Sequence, residues 1–114
     1  MADQPADQRT SSARAAFGDI APKLAELTDD FLIGEIWERP GLSQRDRSLI
    51  TISVLTALSH GDALLAHLHR ALDNGITKDE ILEMILHVTF YGGWPTGMSA
   101  TSIARKVFEA RGLI

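Results

Sequence analysis

The sequence predicts an all-α fold of five or six helices in one domain. Apolar residues recur at steps of three and four along most of the chain, and no segment sustains the alternation typical of a strand. Helix-capping residues also stand where these periods begin and end. At 114 residues and 45% hydrophobic content, the chain has the size of a single domain. We therefore expect an orthogonal helical bundle over residues 14–114, preceded by a flexible N-terminal segment, residues 1–13.

The chain between Arg14 and Glu38 is predicted to form two short helices. Its apolar residues follow helical spacing, and the pattern is interrupted near Thr28-Asp29. The sequence Arg39-Pro40-Gly41 then predicts a turn, because the residue before a proline avoids helical backbone and glycine tolerates turn geometry.

A long apolar helix is predicted after this turn. Ser43 stands three residues before Asp46, a spacing related to the capping box. The residues from Leu49 to Leu58 are apolar on several sides, which predicts a helix buried nearly all round. Residues 81–90 are also apolar on most sides. Because only one or two helices can be central in a monomer of this size, subunits that bury each other's helices are the simplest explanation, and we expect a homo-oligomer.

His60-Gly61-Asp62 predicts a break before the next helix. Asp62 is available as the N-cap, and the helix would run to Asp73. Asn74-Gly75 then supplies a left-handed C-terminal stop.

Two further helices are predicted from their first residues. Thr77 and Glu80 form a capping box, which opens a helix that ends at Gly92-Gly93. Pro95 can occupy the first turn of a last helix, ending near Ala110.

Composition excludes several classes of function. The formal charge is −4, and no basic cluster exceeds the Arg45–Arg47 pair, so we expect no nucleic-acid partner. Apolar runs are far shorter than the roughly 20 residues needed to span a bilayer, so we expect no membrane partner. Residues 1–12 lack a signal-peptide pattern, which predicts a cytoplasmic location. The absence of cysteine excludes disulfides and thiolate chemistry.

Polar residues cluster in two places that could carry chemistry. Three of the four histidines and Asp62 fall within residues 60–69. On a continuous helix His60 and His67 would lie about 20° apart, whereas His67 and His69 would face different ways. A hydrogen-bonded core histidine and a plain helix cap are the alternatives for His67 and Asp62. Histidine spacings of seven and two residues do not match the helical steps of three or four typical of zinc sites, so no metal is predicted.

The second cluster lies on the following helix. Glu83, His87 and Tyr91 are four residues apart and share a stripe that leads towards Trp94. The aromatic residues could equally be packing or interface anchors. Arg45 and Arg47 begin the long apolar helix and, being two apart, point to different sides.

Three segments of the sequence resemble the carboxymuconolactone decarboxylase family: "RPGLSQRDRSLITISVLTAL", "HLHRALDNGITKDEILEMILHVTFYGGWP" and "MSATSIARKVFE". The resemblance covers about residues 31–110. It implies an alkyl hydroperoxidase D-like all-α subunit assembled into rings, commonly trimers or hexamers, with sites in clefts near subunit contacts. Peroxidase members of the superfamily carry a glutamate, a C-x-x-C pair and a histidine.

Matching that histidine to His67 places Ser48 at the glutamate and His60 and Ala63 at the cysteines. Without a thiolate, a thiol peroxidase mechanism is excluded. The decarboxylase branch fits better, although Ala63 stands where some members have a glutamate four residues before the histidine.

The resemblance implies a decarboxylase, without a cofactor, of a carboxylated unsaturated lactone similar to 4-carboxymuconolactone. His67 would donate a proton or stabilise charge, with Asp62 or His60 as its orienting partner. Arg47, or else Arg45, would hold a substrate carboxylate. The remaining pocket residues would be His87, Tyr91 and Trp94. The alternatives are a non-catalytic small-molecule-binding or structural oligomer of this fold, and an isomerase or hydrolase acting on a related lactone.

Overall fold

The computed structural model describes residues 13–114, which contain six α-helices, one π-helix of ten residues, π-helical backbone at Ala13 and Arg14, and no strand. The all-α prediction is confirmed. The chain divides into an N-terminal unit, which ends at Leu42, and a C-terminal unit, Ser43–Ile114. Apart from Ala13, the predicted flexible segment lies outside the described residues. Within residues 13–114, no helix combines the length and apolar character needed to cross a membrane.

The N-terminal unit contains two short α-helices and the π-helix: α1 (Ala15–Phe17), α2 (Pro22–Glu26) and the π-helix (Leu27–Ile36). The predicted break near Thr28-Asp29 is wrong, because α2 continues directly into the π-helix and the interruption lies at residues 18–21. The Thr28 hydroxyl donates to the carbonyl of Leu24 (2.8 Å), so this polar residue is satisfied inside the helix.

Asp29 is a buried carboxylate that anchors the start of the described chain. Its oxygens accept hydrogen bonds from the backbone N–H groups of Ala13 (3.3 Å) and Arg14 (3.1 Å). The guanidinium of Arg14 also pairs with Asp30. Asp29 therefore has a long-range structural role that helical periodicity does not indicate.

The C-terminal unit consists of four longer helices: α3 (Gln44–Ala57), α4 (Gly61–Asp73), α5 (Lys78–Gly92) and α6 (Trp94–Ala110). Each contributes apolar residues to one core, which includes Ile52, Leu64, Leu68, Ile81, Ile85, Ala104 and Phe108. Burial of these side chains is the main favourable contribution to folding of the unit.

Local capping signals correctly predicted where α3 and α5 begin. The Ser43 hydroxyl accepts a hydrogen bond from the N–H of Asp46 (3.0 Å). Thr77 and Glu80 form a complete capping box, in which each side chain accepts from the other residue's backbone N–H. These bonds satisfy amide groups that the first helical turn leaves without partners.

Glycine and proline also mark the predicted boundaries. Gly75 has φ +102° after α4, and Gly93 has φ +114° between α5 and α6. These left-handed values favour glycine because it lacks a Cβ atom. Pro95 lies in the first turn of α6, as predicted.

The prediction that Asp62 caps α4 is wrong. The N-cap is His60, without a side-chain capping bond, and Asp62 lies inside the first turn. The chain reverses at Ser59, which has φ +59°. Gly61 belongs to the helix and lies close to α6, since a Cβ atom on it would come 3.3 Å from Cδ1 of Ile103. Gly61 is therefore a packing residue and not the turn residue.

Within one chain α3 is buried on one side only, so its predicted burial nearly all round depends on a second subunit and stays a prediction. Ser48, Ile52 and Thr56 are buried, but Ile50 and Val54 on another side are 50% and 48% exposed. Helix α5 likewise leaves large apolar side chains exposed along one stripe: Leu82, Leu86 and Phe90. In a single chain, α3 and α5 therefore each have one apolar face in the core and another apolar face exposed to solvent.

Helices α5 and α6 approach closely where Gly97 faces Thr89. A Cβ atom on Gly97 would come 2.9 Å from Cβ of Thr89, a separation at which atoms must shift. Gly97 is buried, so the absence of its side chain sets the spacing of the two helices.

We expect Gly97→Ala to destabilise the C-terminal unit by about 1–3 kcal/mol, the usual cost of overpacking. Urea denaturation measures this change. Gly41→Ala is the matched control, because nothing lies within 4 Å of its added Cβ atom. Equal stability of both variants and the wild type would contradict a close α5–α6 contact.

Candidate functional site

Helical spacing indicates that His67 lies on the side of α4 near α3. Asn74, seven residues later and therefore within about 20° of the same direction, donates a hydrogen bond to the hydroxyl of Ser48 on α3 (2.9 Å). The opposite edge of α4 carries Gly61, which faces α6. His67 is half-buried beside the core residues Leu64 and Leu68.

Two effects lower the pKa of His67 below the ordinary histidine value of 6.5. Burial is the larger, because it disfavours the charged imidazolium, and the positive charge of Arg70 is the second. Arg70 lies three residues after His67 and shares its side of the helix. His67 is therefore predominantly neutral at pH 7.

Asp62 and His67 do not share a face of α4. Both lie within the helix, and five residues place them about 140° apart around its axis. Asp62 is exposed. His60 precedes the helix as its N-cap and lines a separate cavity, described below. Asp62 therefore does not share the side of α4 that carries His67, and His60 belongs to a separate cavity.

The two candidate arginines have different surroundings. Arg45 forms an ion pair with Glu80, and its other terminal nitrogen lies 3.9 Å from Asp46. Arg47, about 160° away around α3, is half-buried next to Ser48 in the sequence. Arg45 therefore joins α3 to α5, while Arg47 lies about 100° from Ser48 around the helix, on another side of α3.

His87 and Tyr91 form a ring pair on α5, with centroids 5.0 Å apart. His87 also lines a cavity of about 380 Å³ between α3 and α5, together with Leu49, Ser53, Glu80, Glu83 and Met84. Tyr91 is highly exposed. The predicted stripe therefore exists, but it lies along the α3–α5 contact and not beside His67.

Trp94 begins α6 and packs edge-on against Phe90, with centroids 5.7 Å apart. It lines a groove of about 240 Å³ between α5 and α6, whose other residues are mostly apolar: Leu82, Ile85, Leu86, Thr89, Gly97, Met98 and Thr101. This position suits packing against another apolar surface.

A third cavity, of about 250 Å³, contains His60. It lies where the turn after α3 meets the first turns of α4 and α6, and it is lined by Leu55, Thr56, Ser59, His60, Gly61, Leu64, Thr96, Ser99, Ala100 and Ile103. His67 lines none of these three cavities.

The sequence-predicted residues thus occupy separate places in one C-terminal unit. His67 has Arg70 beside it, His60 lines the third cavity, and His87 lines the cavity between α3 and α5. Arg70 was missed by sequence reasoning, although its three-residue spacing from His67 was available. Within residues 13–114 no group of three or more histidine or acidic side chains could hold a metal ion.

Comparisons with known proteins identify relatives of this chain. It is 47% identical over 83 residues to a 4-carboxymuconolactone decarboxylase of Acinetobacter baylyi strain ADP1, covering 73% of this chain and 62% of the relative. It is 35% identical over 84 residues to a nitrosuccinic acid decarboxylase of Metarhizium robertsii, covering 74% and 59%. The chain therefore spans about three fifths of the length of these two relatives.

A third relative, an uncharacterized 15.0 kDa protein of Paracoccus denitrificans, is 35% identical over 96 residues, covering 82% of this chain and 71% of the relative. The sequence model of the carboxymuconolactone decarboxylase family matches residues 22–106, which span the helices from α2 through most of α6. This chain therefore belongs to the carboxymuconolactone decarboxylase family.

Proposed function

We propose that this protein is a cofactor-independent decarboxylase of a small carboxylate, with His67 as its central catalytic residue. The observation that carries the proposal is the half-buried position of His67 on α4, with the positive charge of Arg70 acting on it. The names of two relatives, which are decarboxylases of different carboxylic acids, support the reaction class.

The substrate that we favour is a carboxylated unsaturated lactone like that named in the bacterial relative. The bond between the ring carbon and the carboxylate breaks, CO2 leaves, and the electron pair spreads through the double bond onto the lactone carbonyl. A proton then adds to carbon. Because the substrate accepts its own electrons, the protein must position the carboxylates, stabilise the developing oxyanion and deliver one proton.

His67 suits the last two tasks. Neutral imidazole can donate its N–H to the developing oxyanion, and protonated imidazole can supply the proton. A substrate carboxylate beside His67 raises the pKa that burial and Arg70 lower, because an opposite charge favours imidazolium. Substrate binding thereby prepares the acid form when it is required.

Arg47 and Arg70 are the proposed carboxylate-binding residues. Their guanidinium groups can bind a carboxylate through two parallel hydrogen bonds. Arg45 is less suited, because its ion pair with Glu80 directs it towards α5. In this arrangement Arg70 has two effects: it adds to burial in lowering the pKa of His67 in the free protein, and it attracts the anionic substrate.

We also propose that the chain functions as a homo-oligomer, a trimer or hexamer. The exposed stripe of α5 continues into α6, where Trp94 and Met98 are also exposed. Continuous apolar surface of this kind marks an interaction site in soluble proteins. A second subunit could bring His87, Tyr91 and Trp94 of one chain towards His67 of another.

The second candidate is a non-catalytic binding protein with the same fold. Ala63 favours it, because a glutamate at that position in some family members is missing here and Asp62 points to another side of α4. Ligand binding without CO2 release would support this candidate and exclude the decarboxylase.

We expect His67→Gln to reduce lactone decarboxylation by about a hundredfold, the scale of general acid–base catalysis. CO2 release and loss of substrate absorbance measure the reaction. The matched control is His69→Gln on the same helix, because His69 contacts Arg111 on the exposed side (3.3 Å). Full activity of the His67 variant would contradict the assignment.

We expect the pKa of His67, measured by NMR titration of its ring, to lie below 6.5 and to rise in Arg70→Gln. The rise should be partial, because burial is the larger cause. Arg105→Gln, an exposed change on α6, is the control. An unchanged pKa in Arg70→Gln would show that its charge does not act on His67.

The same pKa shift has a consequence for stability. The unfolded chain binds a proton at His67 at higher pH than the folded chain does, so this residue lowers the free energy of unfolding as pH falls below about 6.5. Urea denaturation from pH 7.5 to 5 should show a weaker acid loss in His67→Gln than in the wild type. Identical pH profiles would contradict the lowered pKa.

We expect the wild type to sediment as an oligomer and Leu86→Glu to dissociate it, because a buried charge on an apolar interface is unfavourable. Sedimentation velocity provides the measurement. The control is Lys106→Glu, a change at an exposed residue of α6, which should leave the sedimenting mass unchanged. A wild type with the mass of one chain would contradict the oligomer.

A further inference from the structure

The turn between α4 and α5 contains a pair of residues that is prone to spontaneous chemical change. Asn74 is the single asparagine of the chain, and Gly75 follows it directly. Because glycine has no side chain to obstruct its amide nitrogen, this nitrogen can attack the carboxamide carbon of a preceding asparagine. Asparagine is accordingly among the thermolabile residues of proteins.

In the folded chain, other groups hold both reacting groups of this pair. The Asn74 carboxamide donates from Nδ2 to the hydroxyl of Ser48 on α3 (2.9 Å), and Ser48 is only 1% exposed. The N–H of Gly75 donates to the carbonyl of Leu72 (3.2 Å). With ψ 6° at Asn74, the amide nitrogen of Gly75 eclipses that of Asn74 and does not lie over the Asn74 side chain. This geometry prevents the attack.

The backbone on the far side of the pair is also anchored. Ile76 is 2% exposed, and its N–H donates to the carbonyl of Ala71 (2.9 Å). The side chain of Arg45 approaches Gly75, since its Cδ atom would lie 4.0 Å from a Cβ atom built there. Arg45 itself pairs with Glu80 on α5. The turn therefore stays fixed while the Asn74 side chain remains bound to Ser48.

We propose that Asn74 is a site of spontaneous deamidation and that its hydrogen bond to Ser48 controls the rate. When this bond opens, the Gly75 nitrogen loses its proton and attacks Cγ of Asn74. The bond from Cγ to Nδ2 breaks, and Nδ2 leaves as ammonia with that proton. Water then opens the succinimide ring to aspartate or isoaspartate.

Either product has a new negative charge at the C-terminal end of α4, where the helix dipole disfavours it. Both products also lack the amide group that donates to Ser48. This modification goes beyond the proposed decarboxylation, because it requires neither His67 nor a substrate other than water.

The test compares three samples in one mildly alkaline buffer: the folded full-length protein, the same protein in urea, and a synthetic peptide of residues 72–76. Peptide mass mapping follows the exchange of ammonia for water. We expect the folded protein to deamidate at least about tenfold more slowly than the peptide, because two hydrogen bonds must first open. The protein in urea should match the peptide. Equal rates for the folded protein and the peptide would overturn the proposal.

Ser48→Ala isolates the contact that controls the rate. We expect this variant to deamidate about fivefold faster than the folded wild type, the factor by which one hydrogen bond shifts an equilibrium. Ser53→Ala is the matched control, because it removes a hydroxyl of the same helix that donates to the carbonyl of Leu49 (2.7 Å). Its rate should equal that of the wild type. No acceleration in Ser48→Ala, or the same acceleration in both variants, would overturn the role of Ser48.

Ser48→Cys is a second variant, which keeps the proposal testable if Ser48→Ala does not fold. Cysteine is readily buried, but its sulfur is a weak hydrogen-bond acceptor, so we expect the same acceleration. The products identify the chemical route, since a succinimide opens to both aspartate and isoaspartate. Aspartate without isoaspartate would overturn the attack by Gly75, because direct hydrolysis of the carboxamide gives aspartate alone.

Discussion

Burial of one apolar stripe from each of four helices determines where every polar side chain of the C-terminal unit can lie. On α4, Leu64, Leu68 and Ala71 must face the core, which leaves His67 at the margin of that stripe. Its imidazole is consequently removed from part of its water, and its pKa falls. The same orientation of α4 about its axis turns Asp62 towards solvent. A packing requirement thus sets the electrostatics of the candidate catalytic residue.

Local signals predicted the helix boundaries well, because capping bonds and left-handed glycines depend on only a few neighbouring residues. Ser43, Thr77, Gly75 and Gly93 all act as the sequence indicates. Gly61 does not mark the break that the sequence indicates, because it lies inside α4 and allows this helix to approach Ile103 of α6. That requirement is tertiary and leaves no local pattern.

The site was less predictable for a related reason. Spacing shows which residues share a face of one helix, but not which neighbour that face meets. His87 and Tyr91 do share a stripe, yet α3 presents its Arg45 side to α5 and its Ser48 side to α4. Periodicity also cannot distinguish the core face of α3 from the exposed face that carries Ile50 and Val54. The reaction class that we propose rests on the family and on the names of two relatives.

The two tryptophans of the chain have opposite surroundings. Trp37, in the N-terminal unit, is 7% exposed, whereas Trp94, in the C-terminal unit, is 60% exposed. Indole emission shifts to longer wavelength as the ring enters water. Unfolding of the N-terminal unit should therefore cause most of the shift in tryptophan emission wavelength. Acrylamide in solution should quench the fluorescence of Trp94 more strongly than that of Trp37. Each unit thus carries its own optical reporter, and variants with one tryptophan can follow the two separately.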